Sequence, residues 1–189
     1  MSRKYYCYAV VAALAASQPV AIAKELGAHV HGIATLQIAV DDKTMSLDFS
    51  GPLDNLLGFE HVPRNAKQKA AVKKMADDLN HAERFFIPTA EAQCTLQSIK
   101  LESLVLEPIP PQEKKSDKKE ESKHHEEESG HADIDGEFVF ACKQIGKLHD
   151  LEVKLFDAFP HLGQLKVEVA TLKKQTAAKL TAKQRRVNW

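Results

Sequence analysis

Apolar and polar residues alternate along Ile33-Ala34-Thr35-Leu36-Gln37-Ile38-Ala39-Val40 and again along Met45-Ser46-Leu47-Asp48-Phe49. This pattern predicts two strands, with Asp41-Asp42-Lys43-Thr44 as the turn of a hairpin and Gly51-Pro52 as the stop of the second strand. From Asn65 the period changes. Val72, Met75, Leu79, Ala82 and Phe86 recur at helical spacing, Asn65 is placed to cap, Gln68 follows three residues later, and Pro88 closes the run. One sizeable helix is therefore expected from Asn65 towards Pro88. Between Cys94 and Leu106 the alternation is imperfect, which predicts one or two strands before Pro108. Clean alternation returns at Glu137–Cys142, Leu151–Phe156 and Leu165–Val169, and Leu172 to Leu180 reads as a last edge strand.

Strands joined by short turns, together with one main helix, place the chain in the α+β class with a mostly antiparallel sheet. A weak likeness between His29–Val40 and His131–Cys142 leaves open a duplicated β unit with pseudo-two-fold symmetry. The segment 107–130 differs in kind: Pro110 and Pro111 are adjacent, Ile109 is its only large apolar residue, and Lys, Glu, Ser and His fill the rest. Such a composition buries too little apolar surface to offset the entropy of ordering, so a loop is expected there.

With 189 residues, the chain suits one globular domain. Lys+Arg and Asp+Glu both number 26, so the electrostatic footprint of a nucleic-acid binder is missing. The N-terminus changes the picture. Ser2-Arg3-Lys4 forms a positive start, Tyr5 to Ala16 is apolar but too short to span a bilayer, and Ala21-Ile22-Ala23 supplies a small-x-small cleavage pattern. Residues 1–23 are expected to be a cleaved signal peptide and residues 24–189 a single mature domain outside the cytoplasm, with no membrane insertion after cleavage. Cys94 and Cys142 are then the two cysteines left, and a disulfide linking the two halves is the expected use of them in an oxidising compartment. The rival use is as zinc thiolates, which a pair so far apart and without C-x-x-C supports less well.

Nine histidines against one tryptophan point to metal chemistry, because imidazole is the commonest protein metal ligand. In extended geometry His29 and His31 project to the same side and can face one ion. A second cluster, His124-His125-Glu126-Glu127-Glu128 and then His131-Ala132-Asp133, mixes imidazole with carboxylate. Zinc accepts such nitrogen and oxygen donors in four-coordinate sites. The loop reads either as a capture arm for metal or as a solubilising segment that contains histidine by chance. His61 precedes the helix in Gly58-Phe59-Glu60-His61-Val62-Pro63, where it could cap the bend or ligate. His81 is expected on a solvated helix face, and His149 and His161 in structural or exposed positions. No H-E-x-x-H helix, G-x-S-x-G elbow, Walker loop or dinucleotide turn is found, so no enzyme activity is expected. A zinc hydrolase would need an open coordination position and a nearby base, and no base is recognisable.

Several segments together carry a resemblance: His29-Val30-His31-Gly32, Asn55 to Gln68 (NLLGFEHVPRNAKQ), the His- and acid-rich centre, the strand ending in Cys142, and Leu155 to Val169 (LFDAFPHLGQLKVEV). In these the chain resembles the ZrgA-type family of periplasmic zinc-uptake proteins over nearly the whole mature length, with Gly-Phe-Glu-His-x-Pro as the most specific piece. The resemblance implies a bacterial periplasmic protein that binds Zn2+ and assists its import with components of an ABC-type transporter. The central loop is poorer in histidine than is usual for the family, and Asp133 and Asp135 follow His131 where the family tends to carry histidine. The candidate ligands are thus His29, His31, His61, His124, His125, His131 and Asp133. Ligation needs neutral imidazole, so affinity is expected to fall as pH drops through ~6.5. The alternative is an envelope interaction module, stapled by its disulfide, in which the charged loop only solubilises.

Overall fold

A computed structural model describes residues 30–106 and 132–189. The expected signal peptide, the whole of the loop expected over 107–130, and His29, His124, His125 and His131 lie outside the described residues. Among the described residues, nine strands and three short or medium helices follow one another as β1 (Ile33–Val40), β2 (Thr44–Pro52), α1 (Asp54–Leu57), α2 (Ala66–Leu79), β3 (Phe86–Pro88), β4 (Cys94–Glu102), β5 (Asp133–Cys142), β6 (Asp150–Val153), α3 (Leu155–Ala158), β7 (Gln164–Thr171), β8 (Gln175–Leu180) and β9 (Arg186–Asn188). They form a six-stranded sheet in the order β4-β5-β2-β1-β7-β8 and a three-stranded sheet β3-β6-β9. All pairings are antiparallel except β1 with β7. The α+β expectation with a mostly antiparallel sheet holds.

Strict alternation explains the large sheet. Leu36 and Ile38 of β1, Met45, Leu47 and Phe49 of β2, Phe138 and Phe140 of β5, and Leu165 and Val167 of β7 all point to one buried face. Val72, Met75 and Leu79 of α2 cover that core, together with Leu151 and Val153 of β6. The Phe86 ring meets Phe138 at a centroid distance of 5.1 Å. The β1–β2 turn is made by Asp41, whose carboxylate accepts hydrogen bonds from the Lys43 and Thr44 backbone amides at 3.0 and 2.9 Å. Those amides hold the Asp41 carboxyl below its ordinary pKa.

The helix starts where expected. The Asn65 side chain accepts from the Gln68 amide at 2.9 Å, and Gln68 reaches back to the Arg64 amide at 2.8 Å. It ends earlier than the apolar spacing suggests. Beyond Leu79 the chain passes through a single 3-10 turn at Ala82–Arg84 and enters β3, so Phe86 is buried as a strand residue opposite Val153. Helical spacing survives across the break because both conformations turn the same side to the core. A bulge between Leu96 and Ser98 accounts for the irregular alternation of β4: Gln97 is the extra residue, and Leu96, Ile99 and Leu101 stay on the inner side. The strand expected over Leu151–Phe156 stops at Val153, and Leu155 and Phe156, both buried, belong to α3.

Cys94 and Cys142 are bonded to each other and sit directly opposite in the β4–β5 register. The bridge joins a strand of the first half to one of the second and removes both thiols from any metal shell. The two segments whose likeness suggested a duplication flank β2 on either side and run the same way, with Thr35 and Asp135 both opposite Ser50. Their continuations differ: β1 turns into its neighbour β2, whereas β5 leads to β6 in the other sheet.

Candidate metal site

Topology gathers the relevant chain ends. Since β1 and β7 run parallel and β2 opposes both β1 and β5, the starts of β1, β5 and β7 lie at the same sheet end as the finish of β2. His31 precedes β1, Asp54 and Glu60 follow β2, Asp133 opens β5 and His161 precedes β7.

His31 lies in a turn closed by the Ile33 amide on the Val30 carbonyl at 3.0 Å. The extended geometry assumed for the His29–His31 pair thus begins only at Ile33. Gly32 follows at φ +81°, in the region that glycine enters without strain. Its carbonyl accepts from the Gly163 and Gln164 amides at 2.9 and 2.8 Å, tying the turn to the lead-in of β7. Its own amide donates to Asn55 Oδ1 at 2.6 Å, while Asn55 Nδ2 donates to the Ile33 carbonyl at 2.9 Å. Asn55 is fully buried. A buried amide with both ends used on the backbone around His31 fixes that turn against α1.

Asp54 is the neighbour of that clamp and the first residue of α1. Its Oδ2 stands 3.7 Å from His31 Nδ1, and on the other side of the ring Nε2 stands 3.5 Å from Glu60 Oε2. Gly58, at φ +73°, ends α1 and lets the chain reverse towards Glu60. The Glu60 carbonyl accepts from the Ala132 amide at 3.0 Å, and the Leu53 amide donates to the Ala132 carbonyl at 2.8 Å, so the entry of β5 is stitched to both sides of α1. The His161 ring lies over Gly58, close enough that a Cβ there would come 2.9 Å from Nε2. His31 thus sits between two carboxylates, with a second imidazole beside the loop that carries one of them. This donor chemistry fits zinc. Among the described residues no group of three or more His, Cys, Asp or Glu closes on one ion. The reason is visible at His31, whose two nitrogens face opposite ways and cannot serve the same ion.

The other expected positions are placed as follows. His61 Nδ1 lies 2.9 Å from the Val62 carbonyl, so that nitrogen carries the proton and its ring tilts on Phe59. Asp133 faces Pro52 across the β5–β2 register, at the same sheet end. His81 caps the end of α2 through the Asp77 carbonyl at 2.9 Å. His149 stands 3.0 Å from Asp150, whose buried carboxylate is already met by the Arg186 guanidinium at 2.8 Å and the Thr89 hydroxyl at 3.1 Å. A guanidinium there takes the place a cation would need. Asp54, Glu60 and His161 were not among the ligands expected from the sequence. Glu60 stood inside the most specific motif, but Asp54 comes to the site through α1, packed after β2 against the start of β1, and His161 through the β1–β7 pairing.

Among the described residues no helix is long and apolar enough to cross a membrane. No curated protein matches the chain. Residues 28–189 match the profile of the ZrgA family zinc uptake protein, and with that match over most of its length the chain belongs to this family.

Proposed function

We propose that the protein is a non-enzymatic zinc-binding protein of the bacterial periplasm that captures Zn2+ and assists its import with an ABC-type transporter. The observation that carries the reading is His31, held between Asp54 and Glu60 at the sheet end where four strand termini meet. Imidazole flanked by carboxylates supplies the mixed nitrogen and oxygen donors that zinc prefers, and an orienting carboxylate raises the ligand's basicity. His29 lies two residues before His31, and His131 one residue before Ala132, whose amide is bonded to Glu60. Both are assigned to capture, with His124 and His125 as a weaker outer set and His61 and Asp133 as auxiliary donors. A disulfide fits an oxidising compartment, and the apolar N-terminus fits export.

Calorimetry of the EDTA-treated mature chain tests this. Micromolar or tighter Zn2+ binding that is lost in the His29→Ala/His31→Ala variant supports the proposal. The absence of any heat would replace it with the envelope interaction module.

A further inference from the structure

Among the described residues the two sheets end in four outer strands, β4 and β8 of the large sheet and β3 and β9 of the small one. An outer strand offers unpaired amides and carbonyls to any other strand, and proteins commonly blunt it. β3 and β9 are only three residues long, and β3 ends in Pro88. β4 is bulged at Gln97 and carries Lys100 and Glu102. β8 has none of these devices except Lys179: from Gln175 to Leu180 it pairs with β7 in one unbroken register, without proline, glycine or bulge. The register also tells which of its groups are free. The Thr171 amide donates to the Lys174 carbonyl at 2.9 Å, so alternation along the antiparallel ladder makes Thr176, Ala178 and Leu180 the β8 residues bonded to β7. The Gln164 amide, which turns to Gly32 and away from β8, has the phase this requires. The amides and carbonyls of Gln175, Ala177 and Lys179 therefore point outward from the sheet edge.

We propose that β8 pairs antiparallel with β8 of a second copy of this chain, about a two-fold axis at Ala177. In that register Ala177 faces its own counterpart and Gln175 faces Lys179 of the second copy, so every outward amide and carbonyl of these residues is used. No like charges are opposed, whereas a shift of two residues in one direction would set Lys179 against Lys173 of the second copy. Directly opposed side chains share a face, so Lys179 of the second copy lies beside Gln175 on the outer side of the large sheet. There Ala39, Ala170 and Ala177 leave a hollow of about 650 Å3, with Glu168 on its rim. Two strand spacings of ~4.8 Å and two residues of ~3.4 Å put that carboxylate's Cα about 12 Å from the Cα of the second copy's Lys179, within the joint reach of the two extended side chains. The small residue at the axis and this complementarity of charge select a second copy over an unrelated strand. Because the two copies run in opposite directions, their candidate metal sites fall at opposite ends of the joined sheet. The dimer thus needs no metal, and it does not rest on the zinc-binding reading.

Analytical ultracentrifugation of the full mature chain in EDTA, over a concentration series, tests the pairing. A reversible dimer is expected. Ala177→Pro removes an outward amide and leaves the bonds to β7 in place, so the variant should keep the wild-type circular dichroism. Its dimer should be at least about 10-fold weaker, because hydrogen bonds at the axis are lost. Ala177→Cys carries the test should the proline variant fail to fold. Hydrogen-bonded antiparallel neighbours have Cα atoms about 5.5 Å apart, a span that a disulfide accepts, so Ala177→Cys should give a covalent dimer under mild oxidation. Gln175→Cys, displaced from its own counterpart by the register, should give far less. A chain that stays monomeric across the series, a dimer that forms only when Zn2+ is added, a folded Ala177→Pro variant that dimerises like the wild type, or cross-linking no greater for Ala177→Cys than for Gln175→Cys would each overturn the proposal.

Discussion

Asn55→Ala is the most informative single change for the architecture beneath the candidate metal site. The native side chain is fully buried and makes two bonds to the backbone around His31, 2.6 Å from the Gly32 amide and 2.9 Å to the Ile33 carbonyl. Alanine removes both partners and leaves one donor and one acceptor behind. An unsatisfied backbone group costs about 1–3 kcal/mol. Gly32 and Ile33 are only partly buried, so water reaches them in part and the lower half of that range applies. The expected loss is about 2–4 kcal/mol, a large share of the roughly 5–15 kcal/mol typical of a domain. Urea unfolding followed by fluorescence should show the midpoint fall by about 1–2 M at unchanged slope, taking a slope of about 2 kcal/mol/M. Because the released turn carries His31, zinc affinity measured well below the unfolding midpoint should fall as well. A midpoint shift below about 0.2 M would refute the reasoning, since it would mean that water replaces the amide at no cost and that the turn holds its shape without it.

Replacing both Cys94 and Cys142 by serine opens a loop with a sequence separation of 48, for which chain entropy gives a loss of about 4 kcal/mol; urea midpoints under non-reducing conditions should show it, and a loss under 1 kcal/mol would contradict the constraint. Gly58→Ala places a Cβ 2.9 Å from His161 Nε2 at a residue with φ +73°, so a loss of about 1–3 kcal/mol is expected by thermal unfolding, whereas Gly146→Ala, with open space around it, should be nearly silent. Asp41 is held ionised by the turn amides, so its support for the β1–β2 turn is present above the unfolded carboxylate pKa and is lost as pH falls through its depressed folded value. The Thr44 amide shift should therefore titrate with a midpoint below the ordinary 3.8, and a midpoint at or above that value would remove the explanation.

Much of the large sheet was legible in the sequence because its strands are half-buried and obey a period of two. The helix start was equally plain, since Asn65 and Gln68 announce a cap. What escaped the pattern has local causes. Phe86 kept helical phase across a break, Gln97 inserted one residue into β4, and Leu155 with Phe156 buried two neighbours in succession. Arg186-Val187-Asn188 buries only Val187, too little to reveal β9 beforehand. At the candidate site, His31 was singled out by its neighbour His29. Asp54 lay in no recognisable metal motif, and its closeness to His31 depends on how α1 packs after β2. His161 was read as exposed or structural, and exposed it is, but the parallel pairing of β1 with β7 sets it beside Gly58. Short-range signals name the donors, and long-range pairing decides which of them meet.

Cys94 faces Cys142 at the far end of the β4–β5 ladder, and at the near end the Ser103 hydroxyl closes onto the Asp133 carbonyl at 2.6 Å. The two chain ends that flank this connection are therefore secured to each other independently of what lies between them. Doubling the length of such an excursion adds only about 0.6 kcal/mol of closure entropy. Changes in the length or composition of that connection are therefore expected to leave the β4–β5 register in place.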